Sequence, residues 1–157
     1  MQKDLFTPRE IFNSTLAEIQ ISYCPKVNPS AMIRISSSAD AYQILKDVFP
    51  GIDHREYFYI LCLNRNNKVL GYSQISVGGL SGTVCDVRII MQIGLKASAS
   101  GIILAHNHPS GNTEPSSQDK DVTTKIKEAG KILDIPILDH LIITSESYLS
   151  FADEGLI

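Results

Sequence analysis

Apolar positions recur along this chain with two periods, and their succession predicts an α/β domain. From Glu56 to Leu63 the residues Tyr57-Phe-Tyr-Ile-Leu-Cys-Leu are apolar on both faces, which is the pattern of a central strand. Asn64-Arg-Asn-Asn-Lys68 supplies a turn, and Val69 to Val77 an antiparallel partner. The run Gly101 to Ala105 reads as another strand, Pro136 to Thr144 as a further buried one, and Tyr148 to Phe151 as a short last one. Helical spacing appears at Ile11, Phe12, Leu16 and Ile19 behind a Thr7-Pro8 start, after which Ile19, Ile21 and Tyr23 alternate as a strand does. It returns at Ala41, Ile44, Leu45 and Val48 behind the capping cluster Ser36-Ser-Ser-Ala-Asp-Ala, and stops at Pro50-Gly51 after about two and a half turns. Two more helices follow, one with Val87, Ile90, Met91 and Leu95 behind Asp86, the other with Val122, Ile126, Ala129 and Ile132 behind Ser116.

Length and composition narrow the picture. A chain of 157 residues is one domain, able to bury roughly two thirds of the surface it exposes when unfolded. Three cysteines, Cys24, Cys62 and Cys85, are an odd number without a Cys-x-x-Cys pair. They predict core thiols in a reducing compartment rather than a disulfide framework or a thiolate metal site. The first ten residues hold no apolar core of signal-peptide length, and no segment reaches the roughly 18 apolar residues of a membrane span. The expectation is a cytoplasmic protein with no membrane partner. A net charge of -3, with no basic run longer than two residues, offers no footprint for a phosphate backbone, so nucleic acid is not expected to bind this chain alone.

The chemistry concentrates in Gly101-Ile-Ile-Leu-Ala-His106-Asn-His108-Pro-Ser-Gly-Asn-Thr-Glu-Pro-Ser116-Ser-Gln-Asp119. On a strand, residues two apart point to one side, so the imidazoles of His106 and His108 face one region. The loop from Pro109 to Pro115 carries the turn residues that fold the chain back and return Asp119 to the end of that strand. Two neutral imidazoles and a carboxylate are three protein ligands, the count that leaves a zinc coordination position open for water. Water so placed has its pKa lowered to roughly 7 and serves as a nucleophile near neutral pH. The simpler alternative is a metal-free loop end, with the histidines bonded to backbone and Asp119 serving the helix dipole.

The spacing His106-x-His108, seven residues, Ser116, two residues, Asp119 is that of the JAMM motif of JAB/MPN metalloproteases. The surrounding His-Asn-His-Pro-Ser-Gly-Asn resembles the bacterial RadC branch. The resemblance runs from about Ser36 to the end, through Glu56-Tyr-Phe, Leu63-Asn-Arg, Gly79, Ser81, Asp86-Val-Arg88, Leu138-Asp-His-Leu-Ile and Ser150-Phe-Ala-Asp-Glu-Gly-Leu156. It implies a mixed β-sheet flanked by helices, the JAB/MPN fold that nucleobase deaminases resemble. It also implies a zinc ion on His106, His108 and Asp119, and hydrolysis of a peptide or isopeptide amide in a peptide or protein substrate. The division it implies is a RadC-like domain over residues 36–157, behind an N-terminal helix and strand extension over residues 1–35. RadC proteins commonly carry a helix-hairpin-helix region ahead of this domain, and the pattern departs from them there.

A water attacking an amide needs a base to take its proton and an acid for the leaving nitrogen, and one carboxyl can do both in turn. Glu56 shares a strand face with Phe58, Ile60 and Cys62, and apolar neighbours suit a carboxyl to proton transfer. JAMM proteins place their general base at the head of such a strand, so the resemblance assigns Glu56, with Glu114 as the rival. Ser116 has two readings: a capping-box residue at a helix start, or, by resemblance, the donor that supplements zinc at the tetrahedral oxyanion. If the second holds, Ser117 or Thr113 supplies the cap. His140 reads as a satisfied core histidine, His54 as a solvated one, and Asn107 as a loop anchor facing away from the imidazoles. Two other classes compete with the hydrolase. One is a DNA-repair or DNA-processing factor, opposed by the charge; the other is a non-catalytic JAB-type binding domain, opposed by the complete motif. A zinc deaminase needs His-x-Glu and Pro-Cys-x-x-Cys, which do not occur here. No pattern in the chain specifies an oligomeric state.

Overall fold

The computed structural model describes residues 27–51, 54–78 and 85–157. The expected first helix and strand, and the glycine-serine stretch at 79–84, lie outside the described residues. Among the described residues, three α-helices and one five-stranded sheet form the fold: α1 (Ser38–Val48), β1 (Tyr57–Leu63), β2 (Val69–Val77), α2 (Val87–Lys96), β3 (Gly101–Asn107), α3 (Ser117–Ile132), β4 (Ile137–Ile143) and β5 (Tyr148–Ser150). The strand order is β2-β1-β3-β4-β5, and only β3 and β4, joined through α3, run parallel. The sheet is therefore mixed, as expected.

The elements start where local chemistry predicts. Ser37 caps α1 in a reciprocal capping box with Asp40, and the Asp86 carboxylate accepts from the Arg88 amide to open α2. α1 is eleven residues long, about three turns rather than two and a half. β2 begins and ends on the expected residues, whereas β1 starts at Tyr57 and leaves Glu56 just outside it.

The sheet divides the core in two. Tyr59, Leu61, Leu63, Ile103, Ala105, Leu141 and Ile143 pack against Ala41, Tyr42 and Leu45 of α1. Phe58, Ile60, Cys62, Ile102 and Leu104 face Ile90 and Met91 of α2 and Ile126 of α3. This second layer carries the site. Residues alternate between faces along a strand, but the β3–β4 register slips between Ile102 and Ile103, where Leu138 is inserted. The slip puts Asp139, Leu141 and Ile143 on the α1 side and leaves His140, opposite Leu104, on the side of His106. Gly130 lets the tail of α3 lie against the approach to β4, because a Cβ there would fall 2.4 Å from the Ile135 carbonyl oxygen.

Candidate metal centre

His106 is the penultimate residue of β3, a strand buried along its whole length, and pairs across the sheet with Phe58 and Ile142. His108 lies just beyond the strand on the same side, so the two Nε2 atoms are 3.0 Å apart. The return loop turns through Gly111, whose φ of 79° is open to glycine at little cost. It delivers Asp119 in the first turn of α3, with Oδ1 3.2 Å from His106 Nε2 and Oδ2 3.6 Å from His108 Nε2. Taking one ligand atom from each residue, the three lie within 4.8 Å of one another. Zinc with donors at about 2.0–2.1 Å in a tetrahedral arrangement spaces those donors roughly 3.3 Å apart, so the three side chains fit a metal ion.

The ring orientations fit it as well. His108 Nδ1 is 2.7 Å from the Asn112 carbonyl oxygen, an acceptor only, so the neutral ring carries its proton there and presents a bare Nε2 to the site. His106 turns Nδ1 inward, 2.8 Å from Nε2 of the buried His140. His140 is thus a satisfied core histidine, held on its other side by Thr123 Oγ1 at 2.6 Å.

The electrostatics show what the cluster favours. The pKa of His108 is raised, first by its hydrogen bond to Asp119, against desolvation, with help from the Asn112 carbonyl and the charges of Asp119 and Glu56. Burial alone would raise Asp119, but hydrogen bonding to the His106 and His108 side chains and to the Ser116 hydroxyl holds its carboxyl far below the usual carboxylate range. The cluster thus attracts positive charge, a proton or a metal ion competing for one place. His140, desolvated and beside His106, is pushed well below the ordinary histidine value and stays neutral.

An open cleft of about 680 Å³ joins these residues to Glu56, Glu114 and Ser116. Glu56 is half-buried and its main chain is pinned: its carbonyl accepts from Gly78 N at 2.8 Å. Asn107 clamps the residues on either side, donating to the Arg55 carbonyl and accepting from Tyr57 N, both at 2.7 Å. Asn107 therefore anchors the lead-in to β1, a role without a sequence signal because these partners lie 50 and 52 residues away. Glu114 is exposed.

Ser116 caps α3 itself. Its Oγ accepts from Asp119 N at 3.1 Å and donates to Asp119 Oδ2 at 2.6 Å, while Ser116 N donates to the same oxygen at 2.8 Å. Neither Ser117 nor Thr113 takes that place, because the capping box needs the residue three before Asp119. Cys62 and Cys85 are free thiols that burial pushes up to about 11 and about 12, so neither offers a thiolate at neutral pH. Among the described residues no helix is long and apolar enough to cross a membrane.

The fold is an α/β domain in which two imidazoles at a strand end and a carboxylate on the next helix form a group that could hold a metal ion. A family model described as the RadC-like JAB domain matches residues 35–156, and the chain belongs to that family. It is similar to a UPF0758 protein of Flavobacterium johnsoniae, 51% identical over 78% of this chain and 53% of the relative. It is also similar to UPF0758 proteins of Rubrobacter xylanophilus, 41% identical over 83% and 56%, and of Desulfitobacterium hafniense, 37% identical over 90% and 60%. The chain thus spans little more than half the length of these relatives.

Proposed function

We propose that this domain is a zinc-dependent hydrolase of peptide or isopeptide bonds that uses an activated water. The observation that carries the reading is the convergence of His106 Nε2, His108 Nε2 and the Asp119 carboxylate beside a cleft that also holds a half-buried glutamate. A zinc ion on those three ligands supplies Lewis acidity, acidifying water and polarising a carbonyl oxygen. Glu56 takes the water's proton and returns it to the leaving nitrogen; its pinned backbone and half-buried side chain keep the carboxylate at the cleft, whereas the side chain of Glu114 is exposed. Ser116 donates to the oxyanion once its proton is released from Asp119, whose oxygen a metal ion would engage.

Two measurements test this. The purified protein is expected to hold about one zinc per chain, and the double variant His106→Ala, His108→Ala none; equal zinc in both sinks the site. Glu56→Gln is expected to keep the metal and the melting temperature while turnover of an amide substrate falls by about 10²–10⁴. Undiminished turnover would move the base elsewhere.

A further inference from the structure

We propose that Thr123 and His140 form a positioning relay that commits the proton of His106 to Nδ1, so that Nε2 meets the metal ion as a bare lone pair. The inference rests on the zinc reading of the site above. Its geometry is a closed path between two ligands on different elements. Thr123 Oγ1 lies 2.5 Å from the Asp119 carbonyl oxygen and 2.6 Å from His140 Nδ1, and His140 Nε2 lies 2.8 Å from His106 Nδ1. Thr123, His140 and His106 are all buried, so no bulk solvent supplies a missing donor.

These three contacts have three protons available, one hydroxyl proton and one on each neutral ring. A carbonyl oxygen only accepts, so an O···O contact of 2.5 Å calls for the threonine proton. Thr123 Oγ1 then has only lone pairs for His140, which donates from Nδ1 and leaves its own Nε2 bare. That nitrogen in turn accepts from His106 Nδ1. One assignment places a proton in every contact, and it ends with His106 Nε2 unprotonated and aimed at His108 and Asp119. The opposite assignment leaves the Thr123–Asp119 oxygens facing each other without a proton and puts an N–H where the ion belongs. The relay also ties the end of β3 to the first turn of α3 through β4, holding a histidine ligand and the aspartate ligand in one rigid unit.

The test needs no turnover. In the ion-free protein, kept above the titration of its histidines, proton–nitrogen correlation spectra of the imidazoles should show Nδ1–H at both His106 and His140. Zinc affinity, measured against a competing chelator, should fall by about 10- to 100-fold in Thr123→Val. Thr123→Ser, which restores the hydroxyl, should remain within about threefold of the parent, a rescue that a role in packing alone would not produce. An Nε2–H tautomer at His106, or parental zinc affinity in Thr123→Val, overturns the relay. A parent that binds no zinc but shows both Nδ1–H signals refutes the metal reading and supports the relay.

Discussion

Two neighbours on β4, Asp139 and His140, organise two buried polar networks on opposite faces of the sheet, and the networks end differently. The Asp139 carboxyl accepts from Ser150 Oγ at 2.6 Å, Ala152 N at 3.0 Å and His140 N at 2.7 Å. Every partner is a donor, the inventory closes, and the result pins the C-terminal turn after β5 onto the sheet. The network of His140 passes instead through His106 to a place where two ring nitrogens and a carboxylate converge beside open solvent. With the tautomers proposed above, donors and acceptors there balance only when a cation is bound. A saturated polar network holds a fold together, whereas one that stops at converging lone pairs marks where a ligand binds.

The sharpest way to break this contrast is to remove the carboxyl from the closed network. Asp139→Ala leaves three donors without their acceptor and is expected to cost about 3 kcal/mol in chemical denaturation. Zinc affinity of the folded fraction should stay within a few-fold of the parent; a large loss of affinity would merge the two networks into one.

Titrating the ion-free protein separates the networks further. The raised folded pKa of His108 means the native state binds more protons than the unfolded chain above about 6.5, so stability falls as pH rises from there through that folded value. The depressed folded pKa of His140 means the unfolded chain binds more protons below about 6.5, so stability also falls as pH drops, and Asp119 adds to that loss below about 3.8. Stability, followed by denaturation in chelator across pH, should therefore peak near 6.5, and His108→Ala should remove the alkaline decline while only weakening the acid one, to which His108 contributes through Asp119 and His140. Saturating zinc should remove that alkaline decline, because ion and proton compete for one place.

The smallest effect distinguishes the two uses of Ser116. Ser116→Ala should lose about 1 kcal/mol of stability with the cap, and Ser116→Asn should recover most of it. If turnover falls equally in both variants, the hydroxyl acts on the reaction; if Asn restores turnover too, Ser116 is a cap and nothing more.

Much of this was legible without coordinates. β2 came from its place after the Asn64–Lys68 turn as the antiparallel partner of β1, and the start of α3 from Ser116 three residues before Asp119. The convergence of His106, His108 and Asp119 followed from strand period and loop chemistry, and their family match from spacing. The choice between cap and oxyanion donor for Ser116 was not legible, because the same three-residue spacing serves both. Nor was the insertion at Leu138, which puts His140 on the site's side, since a one-residue slip leaves no mark in an apolar run.

The sequence by itself determined what depends on near neighbours: helix starts, strand alternation, and a His-His-Asp cluster carried within fourteen residues, His106 to Asp119. Tertiary structure alone decided that Asn107 clamps the backbone around Glu56 and that His140 stands behind His106, 34 residues away, with Thr123 behind it in turn. The reason is physical. Capping and periodicity are written in spacings that the backbone geometry sets, whereas a hydrogen bond between distant residues depends on which strands become neighbours and in which register, and no local spacing encodes that.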